Sequence, residues 1–80
     1  MKTNELTLQD PIERHGESIA VLTFRVPTVR DLELVDDIES TLKRTIHIMA
    51  NVCQWTPDEV SALSIRDYKA FEAALFDFLE

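Results

Sequence analysis

Polar and apolar residues alternate from Glu5 to Gln9, with Leu6 and Leu8 sharing a face. This pattern predicts a short strand, which Asp10-Pro11 ends because proline has no N–H for a ladder. His15-Gly16 carries the only glycine, at a place where a turn calls for positive φ. Alternation resumes from Ser18 to Val26. Ala20, Leu22, Phe24 and Val26 make one fully apolar face, expected to meet the core. Ile19, Val21, Thr23 and Arg25 make the other, which turns polar along its length. The expectation is a β-hairpin with a loop of roughly seven residues, longer than the commonest hairpin turns. Two strands alone are not stable in water, so the hairpin requires helices against it or a neighbour's strand along its edge.

The period changes at Pro27, which biases the residue before it to extended geometry. Thr28 is a suitable N-cap, and Asp31, three residues on, can reach back to it. A short acidic helix is expected from Thr28 to Asp37, with Leu32 and Val35 as its buried contacts. A longer one follows over Ile38 to Gln54, on a stripe of Ile38, Leu42, Ile46, Met49 and Cys53 that Ile48 and Val52 widen, with Ser40-Thr41 as a break point. Thr56-Pro57-Asp58-Glu59 is a complete helix start and opens about two turns around Val60 and Leu63. Ser64-Ile65-Arg66-Asp67 caps the last helix, which carries Ile65, Tyr68, Phe71, Leu75, Phe78 and Leu79, with Phe76 off the main stripe. The fold class is α+β in a single domain: a β-hairpin over residues 1–27, then three or four α-helices over residues 28–80.

A chain of 80 residues makes one small domain with a limited core. Its charge of −7 is not spread evenly: residues 1–27, 28–54 and 55–80 carry −1, −2 and −4. Phosphate backbones attract the opposite field, so neither nucleic acid nor an anionic membrane is an expected partner. No apolar run approaches the ~20 residues of a membrane span. The N-terminus has no signal-peptide core, and a cytoplasmic location follows by default.

Candidate chemistry is sparse. His47 and Cys53 do not share a helix face, His15 lies in a loop, and no set has zinc-ligand spacing. The lone cysteine falls on an apolar stripe, as a core residue does. Asp36, Asp37 and Glu39 lack the glycine-containing pattern of a calcium loop and read as a solvated face or a dock for a basic partner. There is no phosphate loop, nucleophile elbow or triad, so neither an enzyme nor a cofactor is expected. Arg25 is placed to pair with Asp31 or Glu33, and Trp55 to staple onto the helix near Val60. Three of the four phenylalanines fall between Phe71 and Phe78, an apolar load that serves either the chain's own core or a partner.

Three pieces, in order and at this length, carry a resemblance. They are Leu8-Gln9-Asp10-Pro11-Ile12; Leu22-Thr23-Phe24-Arg25-Val26-Pro27-Thr28 followed by Asp31-Leu32; and Leu63-Ser64, Asp67-Tyr68 and Phe78-Leu79. Over nearly the whole chain they resemble the small tail assembly chaperones of contractile-tailed, Mu-like phages and prophages. The resemblance implies a non-enzymatic protein of the bacterial host's cytoplasm. It would bind the aggregation-prone tape-measure protein and keep it soluble while the tail tube polymerises, without staying in the particle. Some such proteins also exist in a form extended by a frameshift, and this chain would be the short form. Further partners expected on this ground are the tail tube protein and a frameshift-extended form of the chain; a homo-oligomer is a separate expectation, from the hairpin edge and the phenylalanine-rich helix. A holder of apolar helices needs apolar surface of its own and enough like charge to stay soluble. Phe71, Leu75, Phe76, Phe78 and Leu79, in the most acidic third of the chain, are the candidate surface for client or subunit. The hairpin edge is the second candidate. Two other readings are a small structural subunit of a virion tail and an acidic inhibitor- or antitoxin-like regulator.

Overall fold

The computed structural model describes the backbone of residues 3–79 and the side chains of residues 4–75. Its elements run β1 (Thr3–Arg14), β2 (Glu17–Arg25), α1 (Val29–Leu34), α2 (Thr41–Cys53), α3 (Pro57–Ser61) and α4 (Ile65–Leu79). The class is α+β: one antiparallel hairpin followed by four helices. β1 packs against α4 and β2 against α2, while α3 packs on α2.

The hairpin corrects the expected loop. β1 does not stop at Asp10-Pro11 but continues to Arg14, and the connection is the two-residue turn His15-Gly16. Both turn residues have positive φ, 56° and 81°, the geometry whose twist matches that of paired strands. Pro11 is tolerated because the ladder is broken around it. Thr7 pairs with Val21 and Ile12 with Ile19, so Leu8, Gln9, Asp10 and Pro11 stand opposite Ala20 alone. Such a bulge re-aims the strand and removes the need for a proline N–H.

Leu22 and Phe24 are buried as the alternation required, and Phe24 meets Phe71 with ring centroids 5.1 Å apart at 51°. Ala20 and Val26 are exposed, against expectation, because the helices cover only part of the hairpin. Leu8, Met49, Ala50, Val52, Cys53, Val60, Leu63 and Leu75 complete the core.

The helix starts follow their caps. Thr28 N–H donates to the Asp31 carboxylate at 2.8 Å, and Asp31 N–H returns to the Thr28 carbonyl at 3.0 Å. Ser40 Oγ accepts from Lys43 N–H at 3.2 Å, so the break at Ser40-Thr41 is a new helix start. Thr56 and Glu59 form the reciprocal box, at 2.8 and 3.2 Å. α2 ends at Gln54 in the left-handed region, φ 62°, where the N–H groups of Gln54 and Trp55 both turn back to the Ala50 carbonyl.

Candidate functional site

The structure buries two of the five residues that the sequence offers as candidate surface. Phe71 is fully buried and Leu75 is 3% exposed. The reason is packing: the stripe they belong to is the one α4 turns toward the hairpin, where Phe71 meets Phe24. Both are packed into the core rather than exposed. The side chains of Phe76, Phe78 and Leu79 lie outside the described residues.

Exposed apolar surface is found elsewhere. Ile65 is 76% exposed and Leu42 57%, and they flank a cleft of about 240 Å³ whose lining includes Ile46, Val60, Leu63 and Tyr68. α2 passes from buried Met49 and Cys53 at one end to open Leu42 at the other, so the stripe that predicted the helix is covered along half its length. On the other side of α2, a second groove of about 280 Å³ runs along α1, lined by Leu32, Val35, Asp36, Thr41, Arg44, Thr45 and Ile48. Val29, Leu32 and Leu34 stand exposed on α1, so of its expected contacts Val35 is core and Leu32 is not. Exposed Asp36, Asp37 and Glu39 follow that helix. Periodicity revealed these apolar positions but not which of them lacked a covering element.

Three polar clips hold the elements that frame this surface. At the first, Arg25 grips Asp31 with both terminal nitrogens, at 2.8 and 2.9 Å. Asp31 is only 1% exposed, and the Arg25 guanidinium, outweighing burial, holds its carboxyl below the usual range with help from Thr28. This pair was legible in the sequence, with Asp31 rather than Glu33 as the partner. The second was not. Asp67, 1% exposed, accepts the backbone N–H of Gln9 and of Asp10, one on each carboxylate oxygen, both at 2.9 Å. Burial pushes that carboxyl up, but the Gln9, Asp10 and Ser64 donors together bring it below its ordinary value. Asp67 N–H in turn donates to Ser64 Oγ at 3.3 Å, the cap expected there. Beside it, Arg66 grips Asp10 at 2.6 and 2.7 Å, and this hydrogen-bonded pairing holds Asp10 down to about 2. The third clip is Arg14, 3.0 Å from Glu59, donating to the Gln54 carbonyl at 3.1 Å and lying 5.5 Å over the Trp55 ring. Trp55 therefore joins the hairpin tip to the α2–α3 junction, besides packing on the cluster that contains Val60.

Among the described residues no three His, Cys, Asp or Glu side chains gather as a metal site, and no helix is long and apolar enough to cross a membrane. Cys53 is buried, and burial pushes its thiol up to about 11, the opposite of an activated nucleophile. The arrangement offers contact surface: apolar clefts beside a helix, an acidic margin, and a backbone locked by buried carboxylates.

Comparison with known proteins matches residues 5–80 to the family described as "Phage tail assembly chaperone proteins, E, or 41 or 14". No curated protein and no solved structure matches the chain.

Proposed function

We propose a client-holding role that begins from family: the chain belongs to the phage tail assembly chaperones. The client is the tape-measure protein, which the chain binds without catalysis and keeps soluble in the cytoplasm of the bacterial host while the tail tube assembles. The tail tube protein and a frameshift-extended form of the chain are its further partners. The family match over residues 5–80 carries this reading. Two physical features support it. A long helical client with apolar stripes requires apolar surface on its holder, and Leu42 and Ile65 offer it on either side of a cleft. A net charge of −7 keeps a complex of two apolar surfaces dispersed. Phe76, Phe78 and Leu79 are taken as further client contacts from their apolar character in the sequence. Phe71 and Leu75 act indirectly, by fixing the helix to the hairpin.

The test is co-expression of the chain with the tape-measure protein of the same tail gene cluster, reading the client's soluble fraction. The expected result is a several-fold rise and co-elution of the two chains on a sizing column. Phe76→Ala is expected to weaken that complex more than it lowers the melting temperature. An unchanged soluble fraction together with no complex overturns the proposal.

A further inference from the structure

The two edges of the hairpin are built differently. β1 carries Pro11 and a bulge, and the freed Gln9 and Asp10 N–H groups are taken by Asp67. Proline, bulges and edge charges are the devices by which sheets avoid pairing with other chains. β2 has none of them over residues 18–24, which read Ser-Ile-Ala-Val-Leu-Thr-Phe without a charge, proline or glycine. It is regular from Glu17 to Arg25, and the sheet is two-stranded, so β2 pairs on one side only. Among the described residues, no backbone or side-chain hydrogen bond reaches its outer edge. Val21, at its midpoint, is 46% exposed.

We propose that β2 pairs antiparallel with β2 of a second copy of this chain, about a two-fold axis at Val21, giving a four-stranded sheet. The occupant is fixed by charge and register. Centring the pair on Val21 places Glu17 of each copy opposite Arg25 of the other at both ends of the ladder, so that a carboxylate comes beside a guanidinium that also keeps its grip on Asp31. Centring on Ala20 or Leu22 puts Thr23 opposite Glu17 or Ile19 opposite Arg25, and neither makes that pair. In the Val21 register Ala20 faces Leu22, Ser18 faces Phe24 and Ile19 faces Thr23. The exposed Val21 side chains then cover each other, and exposed Ala20 gains an apolar neighbour. A two-fold axis normal to the sheet leaves the helices of both copies on the same face. The pairing also meets the requirement that sheets of more than two strands satisfy better than a lone hairpin. This inference does not depend on the client proposed above.

Two measurements on the full chain test it. Sedimentation equilibrium over a range of concentrations is expected to show a species of twice the 9.2 kDa chain mass. Val21→Lys, which sets two ammonium groups against each other at the axis, is expected to weaken self-association by at least about tenfold with an unchanged circular dichroism spectrum. In a Cys53→Ser background, Val21→Cys is expected to give a disulfide-linked dimer on mild oxidation, because only the residue on the axis faces itself. Thr23→Cys, which faces Ile19, is not. A monomer at every concentration overturns the proposal. Self-association that survives Val21→Lys, or cross-linking no better at Val21 than at Thr23, overturns it equally by placing the contact elsewhere.

Discussion

Replacing Asp67 by Asn removes one atom's worth of chemistry from the joint between α4 and the bulge. The carboxylate is buried and faces two donors, the N–H groups of Gln9 and Asp10, each at 2.9 Å. An amide has one oxygen and one NH2, so whichever way it turns, one backbone N–H meets another donor. A buried polar group left without a partner costs ~1–3 kcal/mol. The remaining bond also falls from a charge-assisted one, ~1.5–3 kcal/mol, to an ordinary one, ~0.5–1.5 kcal/mol. The sum is about 2–4 kcal/mol. A domain of this size has roughly 4–12 kcal/mol in all. At ~4–8 °C per kcal/mol, Asp67→Asn is expected to melt ~8–30 °C below the parent. Thermal melts at neutral pH read this directly, and amide hydrogen exchange localises it. Gln9 and Asp10, neither of which is in the ladder, are expected to be protected in the parent and to exchange fast in the variant. Asp10→Asn is the control: the Asp10 side chain is 41% exposed and pairs with the open Arg66, so its loss is expected to shift the melt far less. A melt for Asp67→Asn within a degree of the parent, or unchanged protection at Gln9 and Asp10, refutes the reasoning.

Acid should unfold the chain through the same groups. Asp10, Asp31 and Asp67 all titrate below their ordinary values, so their stabilisation is fully present above the unfolded carboxylate range near ~4 and is lost as pH falls through the folded values. The urea midpoint is expected to be level from neutral pH to about 5 and to drop below ~4; a midpoint unchanged at pH ~2 contradicts this. Phe71→Ala is expected to cost about 3–5 kcal/mol in chemical denaturation, a loss of fold rather than a selective loss of client binding. His15→Asn relieves a positive φ of 56° at the turn and is expected to stabilise by about 0.5–1 kcal/mol, read as a raised urea midpoint; a lowered midpoint goes against the turn assignment.

What the sequence made legible was local. Thr28 with Asp31, Thr56 with Glu59, and Ser64 with Asp67 each carry their signal within four residues, and each helix begins where its cap stands. Arg25 and Asp31 are also near neighbours, and their pair was readable. Pro11 misled because its meaning depends on a distant residue. A strand through it is possible only where the ladder opens, and the N–H groups set loose there are satisfied by Asp67, 57 and 58 positions away. Nothing near Asp67 distinguishes that role from an ordinary place in a helix's first turn. The same limit applies to the apolar stripes. Leu42 and Met49 lie on one face of α2, yet Met49 is fully buried and Leu42 is open, because burial is decided by which elements arrive opposite. The phenylalanine cluster was ambiguous for that reason, and Phe71 and Leu75 went to the core.

The client-holding claim meets its most direct test in binding between purified components. Native mass spectrometry of the chain mixed with helical segments of the tape-measure protein reads complex and stoichiometry together. The expected result is a defined complex with at least one apolar segment, weakened by Leu42→Glu at an unchanged melting temperature. No complex with any segment, under conditions where the chain is folded, contradicts the claim.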